Sequence, residues 1–118
     1  MERNHRSLKA WQEAIAPVDL LYDATASFPA DERFGLMSQF RRAAVSVPAN
    51  IAEGFARNGT KVLLHFLSIS SGFLSELDTL IEISKRRGLL ADSTPLQEQI
   101  DRVSALVLAL SASLRKRL

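Results

Sequence analysis

The sequence predicts an all-α protein: an antiparallel up-down-up-down four-helix bundle formed by one domain. Apolar residues recur at steps of three and four along four segments, about 7–28, 31–57, 60–87 and 94–117, which is the rhythm of a helix face. The breaks between segments are short, so consecutive helices should run antiparallel. Five Gly and four Pro are too few for a turn-rich β fold. At 118 residues and 47% hydrophobic composition the chain suits a single core and excludes wholesale disorder.

In the first segment the stripe is Leu8, Trp11, Ile15, Val18, Tyr22, Thr25 and Phe28, with Ser7 placed to cap its start. Phe28-Pro29 ends it, because proline disfavours the helical conformation in the residue before it. Pro17 removes one backbone donor inside the helix and predicts a local bend. The second segment starts near Asp31 and Glu32, acids that suit the positive end of a helix dipole. Its stripe is Leu36, Phe40, Ala43, Val47, Ile51 and Phe55, kinked at Pro48 and closed by Asn58-Gly59.

The third segment opens at Thr60, an N-cap residue, and ends with Arg87 and Gly88. Leu63, Leu67, Ser70, Leu74, Leu77 and Ile81 follow a heptad rhythm. Val62, Phe66, Phe73 and Leu80 widen the apolar arc to about 160°, beyond the roughly 100° that one core requires. The surplus makes Phe66, Phe73 and Leu80 candidates for an oligomer interface; a central position for this helix accounts for it equally well. Ser68, Gly72, Ser75 and Thr79 form a small-residue run suited to close approach of another helix, within or between subunits. The fourth segment begins with Thr94-Pro95-Leu96-Gln97, which has the form of a capping box. Its stripe is Leu96, Ile100, Val103, Val107, Leu110 and Leu114, and Arg115-Lys116-Arg117 suits the negative end of the dipole.

Antiparallel topology sorts the charges. The start of helix 1, the end of helix 2, the start of helix 3 and the end of helix 4 share one pole. That pole collects Arg3, Arg6, Lys9, Arg57, Lys61, Arg115, Lys116 and Arg117, with His5 and His65, and few acids. A net charge of +2 thus hides a polarised molecule. Such a patch suits RNA or DNA phosphates, in a contact that is sequence-independent and salt-sensitive. Charged, solvated helix ends are the alternative. On helix 2, Gln39, Arg42, Ser46, Asn50 and Glu53 lie one above another, followed by Arg57. This ladder either fixes helix register, with Arg42 paired to Glu53 or Glu76, or lines a ligand or nucleic-acid groove.

Catalytic chemistry has little to work with. The absence of Cys excludes a disulfide scaffold, a thiolate zinc site and a cysteine nucleophile. His5 and His65 have no partner at i+4, and no Glu-x-x-His pair suits a di-iron bundle. No catalytic residue, cofactor or metal is therefore assigned. Trp11 and Tyr22 fall on the predicted core stripe. No segment has the apolar length of a membrane span or the pattern of a signal peptide, so a cytoplasmic location is expected.

The run from Phe34 to Gly54 contains Gln39-Phe40-Arg41-Arg42-Ala43 and Asn50-Ile51-Ala52-Glu53-Gly54, and closely resembles the signature of the bacterial 23S rRNA intervening-sequence proteins. Trp11-Gln12, Phe28-Pro29, Phe66-Leu67, Gly72 and Glu76-Leu77 extend the resemblance over most of the chain. It implies a four-helix bundle assembled as a ring-like homopentamer. It also implies kinship with the accessory variability determinant of diversity-generating retroelements, a basic pentamer that binds nucleic acid and partners a reverse transcriptase. Val62-Leu63 and Gly72-Phe73 depart from the usual family pairs, and the net charge is milder than that of the retroelement protein. The reading is a non-enzymatic homo-oligomer that binds nucleic acid through its cationic pole. The alternative is a protein–protein scaffold with no nucleic-acid role.

Overall fold

The computed structural model describes residues 4–118. Four helices follow one another: α1 (Lys9–Thr25), α2 (Leu36–Ala56), α3 (Thr60–Arg86) and α4 (Thr94–Arg115). One 3₁₀ turn, Asn4–Ser7, precedes α1, and another, Ala30–Glu32, precedes α2. Each helix packs on its two neighbours around a square, α1 on α2, α2 on α3, α3 on α4 and α4 on α1; among the described residues neither diagonal pair meets. Polar contacts establish the antiparallel sense. Arg41, early in α2, bonds the last turn of α1. The Ser70 hydroxyl of α3 donates to the Val47 carbonyl of α2 at 3.0 Å. Gln97, at the start of α4, donates to Asp78 near the end of α3 at 3.0 Å. The result is an up-down-up-down bundle measuring 46 × 27 × 20 Å.

One apolar cluster draws on all four helices. The α3 stripe of Leu63, Leu67, Ser70, Leu74, Leu77 and Ile81 is buried throughout, as the heptad rhythm predicts. In α2 the buried line is Phe40, Ala43, Val47 and Ile51, with Leu36 and Phe55 at its ends half-buried. Helix α1 corrects the sequence reading. Its core line is Ala10, Ala14, Pro17, Leu21 and Thr25, one residue out of phase with the predicted stripe, while Ile15 and Tyr22 are exposed. Small side chains at Ala10 and Ala14 let the helix lie close to its neighbours. The larger Trp11 and Val18 cover the margin. Leu80 is also corrected: at 2% exposure it belongs to the chain's own core and is no interface residue. Helices α1 and α2 continue unbroken across Pro17 and Pro48, both buried.

The helix ends are satisfied differently from the sequence expectation. Ser7 donates to the Asn4 carbonyl within the 3₁₀ turn and does not cap α1. Residues 31–35 are not part of α2; the Glu32 carboxylate instead accepts the Leu36 N–H from outside, at 3.4 Å. Thr60 and Thr94 are first helical residues, and neither helix start has a side-chain cap. Gln97 turns to Asp78 and Asp101, while Asp92 accepts the Thr94 N–H at 3.0 Å. Gly88, at φ +71°, ends α3 as foreseen: its N–H bonds the Lys85 carbonyl and that of Leu89 reaches Ser84.

Arg41 closes the end of α1. Its Nε donates to Thr25 Oγ1 at 3.0 Å and Nη2 to the Tyr22 carbonyl at 3.2 Å, with the guanidinium 4.4 Å from the Tyr22 ring centroid. A cation thus sits at the negative end of a helix dipole and bonds a carbonyl of its last turn. The closest backbone approach falls at Gly54 of α2. A Cβ there would stand 2.8 Å from Phe66 Cβ and 3.1 Å from Leu63 Cδ1. Ser68, Gly72, Ser75 and Thr79 are all exposed, and a Cβ on Gly72 would meet nothing within 4 Å, so no helix of the chain itself packs on that run.

The two helical glycines therefore give opposite expectations. Gly54→Ala should destabilise by about 1–3 kcal/mol through overpacking, whereas Gly72→Ala should stabilise by about 1 kcal/mol through helix propensity. Thermal melts that shift both variants in one direction contradict this. Arg41→Ala should cost about 1.5–3 kcal/mol, the range for hydrogen bonds to a charged donor. Exposed Arg42→Ala should stay within about 0.5 kcal/mol of the parent. Equal urea midpoints for these two variants would show that Arg41 does not close α1.

Candidate functional site

The topology gathers the α2–α3 connection, the start of α1 and the end of α4 at one pole. Arg57 and Thr60 line a crevice there with Leu114 and Arg117, joining the ends of three helices. The 3₁₀ turn that carries Arg6 packs on α2, and Lys9 is the first residue of α1. Lys61 is exposed in the first turn of α3, and Arg115, Lys116 and Arg117 are exposed at the end of α4. Arg3 lies outside the described residues.

Acids neutralise little of this pole. Glu53 pairs with Arg57 at 2.6 Å, and Glu13 reaches Arg102 at 3.6 Å. Arg57 also lies 5.4 Å from the Phe66 ring centroid, and Arg6 lies 5.3 Å from that of Trp11. Among the described residues Lys9, Lys61, Arg115, Lys116 and Arg117 have no carboxylate within 4 Å. The opposite pole mixes signs. There Arg86 donates to Glu82 at 2.8 Å, and that bond holds the Glu82 carboxyl below its ordinary range.

The polar ladder of α2 is satisfied along its own helix. Ser46 Oγ donates to the Arg42 carbonyl at 2.7 Å, Asn50 Nδ2 to the Ser46 carbonyl at 2.8 Å, and Glu53 accepts from Arg57. Arg42 pairs with neither Glu53 nor Glu76. It lines a crevice of about 350 Å³ between α2 and α3 with Gln39, Phe73 and Glu76, without an ion pair inside 4 Å. Phe73 is half-buried beside that crevice, and Phe66 is half-buried against Gly54.

A second concavity was not foreseen. Between α1 and α2, on the face away from the core, a groove of about 530 Å³ is lined by Tyr22, Arg33, Phe34, Met37, Ser38, Arg41, Arg42, Val45 and Ser46. Phe34 is 90% exposed there and Tyr22 is 41% exposed. The sequence signal was weak: Phe34 lies two residues before Leu36, off the α2 rhythm and next to Gly35. Arg41 was hidden because its partners lie in α1, sixteen and nineteen residues away.

Among the described residues no helix is long and apolar enough to cross a membrane, and no group of three His, Asp or Glu side chains is placed to hold a metal. No curated protein matches the chain. The family model for the 23S rRNA-intervening sequence protein matches residues 6–109, from the turn before α1 into the last turns of α4. With that match over most of its length and four helices in the corresponding bundle, the chain belongs to the 23S rRNA-intervening sequence protein family.

Proposed function

We propose that the protein is a non-catalytic, homo-oligomeric bundle that binds nucleic acid through its cationic pole. The observation carrying this reading is the cluster of Lys9, Lys61, Arg115, Lys116 and Arg117, exposed at one end with no carboxylate within 4 Å among the described residues. Unpaired surface cations keep their counterions exchangeable, so phosphate contacts gain from counterion release and carry no sequence preference. Assembly would multiply the effect, since copies held side by side present several such poles to one strand. The family resemblance adds a ring of five and a reverse-transcriptase partner. A protein–protein scaffold is the second reading, and the exposed Phe34 groove favours it.

Fluorescence anisotropy with labelled RNA and DNA tests the first reading. Affinity should fall steeply between 50 and 200 mM salt, by on the order of tenfold or more. Replacing Arg115, Lys116 and Arg117 by Glu should weaken binding to all sequences alike and lower the salt slope by about 3. Binding indifferent to salt, or unchanged in that triple variant with wild-type helicity, contradicts the proposal.

A further inference from the structure

We propose that the arginine-aromatic groove between α1 and α2 docks on the acidic groove between α3 and α4 of a second copy of this chain, head to tail. Three arginines line the first groove and no acid does. Arg33 and Arg42 have no carboxylate within 4 Å among the described residues, and Arg33 instead lies 5.6 Å from the Phe34 ring centroid. The second groove, about 390 Å³, is lined by Asp78 and Asp101 and by no cation. Both carboxylates accept from the single Gln97 amide at 3.0 Å, and neither has a cation within 4 Å among the described residues. Two like charges held together at the surface, with only an amide between them, have a ready complement in the arginines of the other groove.

Position makes the match geometric as well as electrostatic. Helices pack around a square, so the α1–α2 and α3–α4 faces are opposite sides of one molecule. The two grooves also lie at the same height. Tyr22, Arg42, Asp78 and Asp101 all fall within about 12 Å of the pole where α1 and α3 end, at 1.5 Å rise per residue. Copies can therefore join side by side with their axes parallel. Val45 and Leu108, exposed aliphatics of the two faces, lie farther down the same sides. Docking would also cover Phe34, a large apolar side chain with no packing partner in its own chain beyond Arg33. Because the joined faces differ, the contact is heterologous and propagates until it closes into a ring. Every cationic pole then comes to one rim. This inference rests on the homo-oligomeric part of the proposed function and is independent of nucleic-acid binding.

The experiment uses light scattering after size exclusion on the full chain. One variant carries Arg33→Glu and Arg42→Glu, another Asp78→Arg and Asp101→Arg; all four residues are exposed, and circular dichroism checks helicity. Wild type should exceed the 13.1 kDa of one chain. Each variant alone should run as a monomer, and an equimolar mixture should regain assembly because each offers the other an oppositely charged face. Phe34→Ala, which touches no core residue, should raise the dissociation constant about tenfold or more. A monomeric wild type overturns the homo-oligomeric reading itself. An oligomeric wild type overturns only this interface if the acidic-face variant keeps its mass, if the mixture stays monomeric, or if Phe34→Ala assembles with unchanged affinity.

Discussion

The close antiparallel packing of α2 on α3 is the constraint on which the rest of the molecule depends. At Gly54 the two backbones approach until a single Cβ would collide with Phe66, and farther along the buried Ser70 hydroxyl bonds the Val47 carbonyl. These contacts lock the register of the hairpin across several turns. Register in turn fixes which residues face inward. It sends the α3 stripe into the core and leaves Ser68, Gly72, Ser75 and Thr79 outside. It also holds Arg57 and Lys61 on either side of one short connection, so two helix ends deliver cations to the same place.

Electrostatic polarity follows from topology more than from composition. A net charge of +2 spread evenly would create no notable field. Here the chain termini and the α2–α3 connection meet at one pole, and most acids lie elsewhere or, like Glu53, serve a local pair. Exposed ion pairs such as Glu53–Arg57 contribute little to stability. The free cations at that pole likewise have no structural task visible in the fold. Arg41 shows the contrast: its guanidinium is half-buried and spent on closing α1, so it belongs to the architecture, whereas Arg42 one residue later is exposed and available to a partner.

Much of this was legible in the sequence because α3, α2 and α4 place large aliphatic residues on a single phase. Leu63 through Ile81 read as one buried line, and they are one. Helix α1 was misread because two phases compete there, and hydrophobicity alone favours Trp11, Ile15 and Tyr22 over Ala10 and Ala14. Close packing selects the smaller set, a tertiary effect that periodicity does not record. The caps failed for a related reason: Ser7 and Gln97 each found partners, the Asn4 carbonyl and the Asp78 and Asp101 carboxylates, that local patterns omit. The ladder on α2 was correctly placed on one face, but its cross-helix ion pair was not formed, since Arg57 lies at i+4 from Glu53 and reaches it first. The cationic pole followed directly once helix polarity was known. The Phe34 groove did not, because it needs the connection before α2 folded beside α1.

The four lysines provide a test built into the chain: Lys9, Lys61 and Lys116 lie at the cationic pole and Lys85 near the other. Acetylation of the exposed amines, followed by mass spectrometry with and without RNA or DNA, reads the bound surface without altering a residue. The account predicts protection of Lys9, Lys61 and Lys116 by nucleic acid, with Lys85 modified as before. Protection confined to Lys85, or equal reactivity of all four at saturating nucleic acid, would contradict it.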